Sequence, residues 1–252
     1  VIGAAVCRHL CARGARPIAL VRETSDLARL HGLDVEIRKA DLALPESLRG
    51  IAEGAGVVYH AAAAWRHEAI STREFFAVNV DGSRAMAEEA ARAAASRFVL
   101  ISTVGVHGAI ETPPANESAP IRPDDRYQRS KVEAEAAVTL ACRTAGLESV
   151  IVRPAGVYGP CDRRFLKLFR AVGRGYFVMI GSGRVLYHLT FEDDVAKGIV
   201  QAGTTPGVAF RAFILAGPEV LTLRQLVTTL ASVLGVRGPR LRVPVWPVYA
   251  AS

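Results

Sequence analysis

The chain has 252 residues, half of them hydrophobic, and a formal net charge of +7 in which arginine far outnumbers lysine. That is enough apolar material for one large α/β domain with a sizeable core. No apolar run approaches the ~20 residues of a membrane span, no charged, apolar, small-residue series marks a secretory signal, and the arginines are scattered without interleaved aromatics. The expectation is a cytoplasmic protein with a small-molecule substrate and neither a nucleic-acid nor a membrane partner. The positive charge reads either as compositional bias or as attraction for a phosphate-bearing ligand. Cys7, Cys11, Cys142 and Cys161 lack zinc-ligand or redox spacing and read as buried small residues in a reducing compartment, so no metal is expected.

In chain order, a helix is expected at 4 to 13, then strands at "RPIALV" (16 to 21) and "LDVEI" (33 to 37), and a helix at 45 to 53. A strand at "GVVYHAAA" (56 to 63), a long helix at 72 to 95 and a strand at "RFVLIS" (97 to 102) follow, then a Pro-rich loop at 111 to 125. A helix at 127 to 145 leads to the strand "LESVIV" (147 to 152). Near-continuous apolar strands alternating with helices predict an α/β fold, a doubly wound parallel sheet that binds ligands at the carboxyl ends of its strands. From about residue 156 glycine, proline and arginine become denser, so residues 1–155 are expected to bind a dinucleotide and 156–252 to form a smaller substrate-binding region partly interleaved with the sheet. Helices are expected at 189 to 203 and 221 to 235, the second opened by a Thr222/Gln225 capping box. "VIGAAVCRHLCARGA" begins as the helix that follows a glycine turn, and "PVWPVYAAS" finishes abruptly, so the sequence is expected to be a fragment at both ends.

Several segments in a fixed order resemble the extended short-chain dehydrogenase/reductase family, the NAD-dependent epimerase/dehydratase type with dihydroflavonol-type reductases and 3β-hydroxysteroid dehydrogenases. Residues 1 to 14 look like the end of its glycine turn and first helix, "ADL" (40 to 42) its adenine-contacting Asp-Leu, and "HAAA" (60 to 63) its Ala-rich turn beside the cofactor. "NVDGSRAM" (79 to 86), "ISTVGVHG" (101 to 108), "YQRSK" (127 to 131), "RPAGVYGPCD" (153 to 162) and "LTFEDDVAKGI" (189 to 199) continue the series. The resemblance implies a Rossmann-like fold, a hydride transfer at a carbonyl or alcohol carbon, and cofactor contacts at Gly3, Asp41, Leu42, Ala61, Ala62, Ala63, Asn79, Lys131 and Pro154. It also implies a homodimer through the long helices.

Tyr127 and Lys131 lie four apart, hence on one helix face. A free phenol loses its proton near ~10, and the Lys131 cation favours the phenolate, which suits Tyr127 to proton transfer in either direction. By resemblance Tyr127 exchanges a proton with the substrate oxygen, Thr103 hydrogen-bonds that oxygen with Ser102 as competitor, and Lys131 also holds the nicotinamide ribose. The alternative for both hydroxyls is local backbone bonding. Where an acidic residue would select NAD, Val21 is followed by Arg22, which with Ser25 favours NADP, with NAD the alternative.

Gly156 stands where sugar-acting members of the family often carry asparagine, which points away from nucleotide sugars, and Val104 and Gly105 replace the acidic pair of the dehydratases. A nucleotide-sugar epimerase and a non-catalytic dinucleotide-binding regulator remain the rival readings. His60 reads as structural, His107 as substrate-facing or rim, Arg184 and His188 as pocket or exposed loop, and Asp193 and Asp194 as helix-terminus residues.

Overall fold

The computed structural model of the chain describes residues 1–65, 70–160, 165–238 and 241–244, leaving Cys161 outside the described residues. Two compact units are present: Val1–Ala155 with Glu192–Leu215, and Gly156–Phe191 with the chain from Ala216 onward. The first unit opens with α1 (Ile2–Cys11), β1 (Ile18–Val21), β2 (Glu36–Lys39) and β3 (Val57–His60). It continues with α2 (Thr72–Phe76), α3 (Gly82–Arg92), β4 (Arg97–Ile101), α4 (Arg126–Ala145) and β5 (Glu148–Pro154). The second unit contains β6 (Gly156–Tyr158), α5 (Leu166–Gly173), β7 (Met179–Ile180) and β8 (Leu186–Phe191). The chain then returns to the first unit as α6 (Glu192–Thr204) and β9 (Ala212–Leu215), and ends in the second as β10 (Val220–Thr222), α7 (Leu223–Val233) and β11 (Arg242–Val243).

In the first unit β3, β4, β5 and β9 form a wholly parallel sheet in that spatial order, and β1 and β2 form a parallel pair of their own. Every residue of β4 is buried, as a central strand covered on both faces requires. One face packs under α3 and α4 through a cluster that includes Phe98, Leu100, Met86, Ala90 and Val138. The helix expected at 72 to 95 is one continuous run in which Ala77–Asp81 widens to a π-helical turn. Gly82 follows it because a Cβ there would meet Leu42 Cβ and its carbonyl oxygen at 2.7 Å.

Three sequence expectations are corrected. No α-helix forms at 45 to 53: Pro45–Leu48 makes a single 3-10 turn. Arg38 Nη1 then takes the carbonyls of Ile51 and Glu53, each at 2.8 Å, while Gly50 and Gly54 turn the chain with positive φ. The second strand begins at Glu36, because Leu33 and Val35 are held in tight turns and register with β1 starts at Ile18 opposite Glu36. Residues 189–191 stay in β8, paired with β6, and the helix starts at Glu192. The capping box at Thr222 and Gln225 is present as expected.

Candidate active site

The carboxyl end of β4 delivers Ser102 and Thr103. Their hydroxyls differ. Thr103 Oγ1 accepts the Gly105 amide at 3.1 Å and caps the 3-10 turn Val104–His107, a local bond that leaves its own proton free to donate. Ser102 is 5% exposed, and its Oγ has no hydrogen-bond partner among the described residues. A buried hydroxyl without a partner costs about 1–3 kcal/mol, so a hydrogen bond at Ser102 Oγ to a ligand or a water would be favourable.

Asp125 caps α4 by accepting the Gln128 amide at 2.8 Å, which fixes Tyr127 in the first helical turn. Its ring sits edge-on to Trp65, centroids 4.8 Å apart, and to Phe75, 6.5 Å apart. One turn on, Lys131 is 2% exposed and its Nζ donates to the Ile101 carbonyl at 2.7 Å, so the ammonium lies at the end of the strand that carries Ser102 and Thr103. Burial lowers its pKa from 10.5 to about 8, with attraction from Glu135 acting the other way. His60, at the end of β3, is fully enclosed, and burial followed by the Lys131 charge lowers it to about 3. Its Nε2 meets Ser83 Oγ at 2.9 Å, the structural role its position suggested.

Asn79 is 1% exposed, and its amide is fully committed. Oδ1 accepts the Ala64 amide at 2.6 Å, and Nδ2 donates to the Ala64 carbonyl at 3.2 Å and to Ser130 Oγ at 2.9 Å. It therefore ties the turn after β3 to α4, and acts on a ligand beside Ala61, Ala62 and Ala63 only through that backbone. Ser130 in turn donates to the Tyr127 carbonyl at 2.8 Å.

At the end of β1 the Arg22 amide donates to Ser25 Oγ at 3.0 Å and the Ser25 amide to the Arg22 carbonyl at 3.0 Å, a closed turn that leaves the Arg22 guanidinium exposed and the Ser25 hydroxyl proton free. Asp41 Oδ1 caps the Ala43 amide at 2.9 Å, and Leu42 beside it is buried against Gly82. Gly3 lies in the first turn of α1, which has no side-chain cap, and Pro154 is buried at the end of β5. The exposed Arg22 guanidinium and the Ser102 hydroxyl fit a dinucleotide: an arginine can bind phosphate, and a hydroxyl can meet the reacting oxygen. Among the described residues no group of His, Cys, Asp or Glu is placed to hold a metal.

Four residues escaped the sequence reading. Trp65 and Ser130 contact Tyr127 as described. Glu135, four past Lys131, accepts from two of the three Arg153 nitrogens, Nε at 3.0 Å and Nη2 at 2.6 Å. Glu192, 1% exposed, is clasped by Arg29 and by Arg8 at 3.0 Å, and the neighbouring Asp193 also takes Arg8 at 3.0 Å. The spacing of Glu135 from Lys131 was a readable signal, whereas the partners of Glu192 lie 184 and 163 positions away in sequence and leave no local one. His107 is 3% exposed with both ring nitrogens occupied, which takes it off an exposed rim. His188, in the second unit, donates from Nε2 to the Gly217 carbonyl, 2.6 Å away.

Parallel strands covered by helices, with a buried ammonium bonded to the last carbonyl of β4 just before Ser102 and Thr103, have the form of a Rossmann-like nucleotide-binding protein. The sequence matches the NAD dependent epimerase/dehydratase family over residues 1–215. It is 32% identical to sterol demethylase protein B of Methylococcus capsulatus, covering 96% of this chain and 74% of that protein. It is 31% identical to the ceramide reductase of Caulobacter vibrioides, covering 96% and 70%. The structure of a dTDP-glucose 4,6-dehydratase from Streptomyces venezuelae, solved with NAD bound, superposes with a TM-score of 0.82 at 25% identity, covering 96% of this chain and 81% of that one. The chain belongs to the NAD-dependent epimerase/dehydratase family and is an NAD(P)-dependent oxidoreductase or epimerase. No helix among the described residues is long and apolar enough to cross a membrane.

Proposed function

We propose that the chain catalyses reversible hydride transfer between NADP and a hydrophobic ketone or secondary alcohol, with Tyr127 as acid/base. The observation that carries this reading is the buried Lys131 ammonium, bonded to the last carbonyl of β4 beside the unpartnered Ser102 hydroxyl and one turn from Tyr127. When bound, the nicotinamide supplies or accepts the hydride. In the reducing direction Tyr127 gives its proton to the carbonyl oxygen as negative charge develops there. In the oxidising direction it removes the proton from the alcohol. Lys131 favours loss of the phenolic proton electrostatically and would hold the nicotinamide ribose when the cofactor is bound. Ser102 and Thr103 each have a proton to donate to the substrate oxygen, and the free Ser102 hydroxyl makes it an equal candidate for that bond.

Arg22 and Ser25 favour NADP, with phosphate held by guanidinium and hydroxyl, and NAD remains the alternative. Gly3, Asp41, Leu42, the Ala61–Ala63 turn and Pro154 are assigned to the remaining cofactor contacts. Substrate recognition is assigned to the chain from residue 156. The relatives named for a sterol and for ceramide favour a lipid-like substrate, as does a glycine at position 156. Among the described residues, Cys7, Cys11 and Cys142 are free thiols, which suits a cytoplasmic address.

The test follows reduced-cofactor consumption with a panel of ketones from sterol to sugar type, using wild type, Tyr127→Phe and Ser102→Ala. Phe keeps the packing against Trp65 and Phe75, so Tyr127→Phe is expected to lose at least a hundredfold in turnover with unchanged cofactor affinity. Unaltered turnover in Tyr127→Phe refutes the acid/base role. Cofactor affinity with no turnover on any carbonyl favours a binding protein.

A further inference from the structure

The net charge of +7 is not spread over the chain. The second unit, Gly156–Phe191 with the chain from Ala216 onward, has ten arginines and lysines against two acids, Asp162 and Glu219, a net of +8. The first unit is left with a net of −1. Cations scattered in sequence are thus gathered by the fold into its smaller part. Seven of them lie among the described residues, every one exposed, with Glu219 the one described acid of that unit.

The same unit exposes an apolar face. After α5 the chain runs extended through residues 176–180 into β7, which pairs in parallel with β11 so that Met179 stands opposite Arg242 and Ile180 opposite Val243. The Met179 amide donates to the Leu241 carbonyl at 3.0 Å and the Gly181 amide to the Val243 carbonyl at 2.8 Å. Along an extended chain every second side chain points to the same side. Phe177 turns inward onto the cluster of Val172, Val227 and Ala231, and Met179 turns inward to 3% exposure. Tyr176, Val178 and Ile180 turn outward, and Leu241 joins them from the paired strand; the four are 58%, 38%, 50% and 67% exposed. A sheet with one face in a core normally turns polar side chains to solvent on the other. Here the outer face is apolar. Arg174, whose Nη1 donates to the Tyr176 hydroxyl at 3.4 Å, and Arg242 within β11 bring exposed guanidinium groups to its border.

Exposed aliphatic side chains bordered by arginine suit a protein to lie on an anionic bilayer: the apolar groups enter the headgroup boundary and the cations meet lipid phosphates. We propose that the second unit docks on the surface of an anionic phospholipid membrane through the face of Tyr176, Val178, Ile180 and Leu241. The expectation of no membrane partner rested on the lack of a spanning segment, and a surface contact needs none. A second copy of the chain fits this face less well, because it brings the same net positive charge and repels. Nucleic acid fits less well too: single-stranded bases stack on aromatic side chains, and Tyr176 is the one exposed large aromatic among the described residues of the unit. The proposal stands on the charge and exposure of this unit, whatever reaction the enzyme performs.

The test is co-sedimentation of the purified chain with vesicles of phosphatidylcholine alone and of phosphatidylcholine mixed with phosphatidylglycerol, at low and at physiological salt. Binding to the mixed vesicles is expected to be about tenfold tighter or more than to the neutral ones and to weaken as salt rises. Ile180→Asp puts a carboxylate on the outer face and is expected to weaken that binding about tenfold or more. Leu140→Asp, at a leucine of the first unit that is 68% exposed, is expected to leave it unchanged. Circular dichroism checks the fold of each variant; if Ile180→Asp does not fold, Leu241→Asp, at the more exposed position, carries the same expectation. Equal affinity for neutral and anionic vesicles, binding to neither, or equal losses in Ile180→Asp and Leu140→Asp overturn the proposal. So does a dimer that Ile180→Asp dissociates in the absence of any vesicle binding, which makes the face a contact between copies. Binding to RNA or duplex DNA that is tighter than to vesicles and indifferent to Ile180→Asp overturns it as well. The readout uses neither cofactor nor substrate, so failure to bind vesicles leaves the proposed reaction standing, and an enzyme inert to every carbonyl leaves the docking surface standing.

Discussion

Lys131→Met is expected to make the protein more stable at neutral pH while removing its activity. Burial lowers the Lys131 pKa from 10.5 to about 8, and at about 1.4 kcal/mol per pH unit this corresponds to ~3 kcal/mol against folding while the group is charged in both states. Methionine is of similar length and carries no charge, but it abandons the Ile101 carbonyl, an orphaned acceptor costing about 1–2 kcal/mol. The net gain expected at pH 7 is about 1–2 kcal/mol. The pH dependence is the sharper consequence. Between pH 8 and 10.5 the unfolded chain keeps the Lys131 proton while the folded chain has released it, so the unfolded state binds more protons and stability rises with pH. This contribution is present above 10.5 and is lost as pH falls through about 8. Urea unfolding of wild type and Lys131→Met at half-unit steps from pH 7 to 10.5 gives the difference curve, in which ionisations common to both proteins cancel. Wild type should gain relative to the variant across that window. A flat difference curve, or one of opposite slope, means that the ammonium is solvated in solution and the site is not built around a desolvated charge.

Two other substitutions probe the cofactor and the scaffold. Arg22→Ala is expected to weaken NADPH binding at least tenfold, ~1.4 kcal/mol or more, and to leave NADH unchanged in fluorescence titration; equal losses for both cofactors remove Arg22 from the phosphate. Asn79→Ala strands the Ala64 amide and carbonyl inside the first unit, an expected loss of about 2–4 kcal/mol in urea unfolding, accompanied by weaker cofactor binding as the turn after β3 loosens. Stability unchanged by Asn79→Ala would show that water reaches those groups.

What the sequence disclosed is what depends on short range. The spacing of Tyr127 and Lys131, the capping box at Thr222 and the apolar strands around Phe98 and Val150 are set within a few residues of themselves, so periodicity and turn chemistry suffice to find them. Two of the failures involve a partner distant in sequence, and the others turn on the path of the chain. Residues 45 to 53 have helical spacing, but Arg38 from a neighbouring strand claims the carbonyls of Ile51 and Glu53. Ser102 and Thr103 are adjacent and chemically alike, and only the path of the chain after β4 decides that Thr103 spends its lone pair on Gly105 while Ser102 stays unpartnered. His107 could be read two ways until Arg153, forty-six positions away, occupied its ring.

The same principle bears on substrate choice. The glycine at 156, read from sequence as a missing asparagine, is also a steric requirement of the second unit. A Cβ at this position would stand 2.9 Å from Leu189 Cδ2 and 3.1 Å from the His188 carbonyl oxygen, because Gly156 lies directly opposite Leu189 in the parallel pairing of β6 with β8. The leucine methyl can swing aside, but the His188 carbonyl belongs to the strand and cannot move without disturbing the pairing. An asparagine here therefore needs β8 to retreat, and one substitution does not restore it. The departure from the sugar-binding pattern is built into the strand spacing, with Leu189 filling the room that a polar side chain at 156 would occupy. That apolar volume in place of a polar side chain is what the proposed lipid-like substrate requires of position 156.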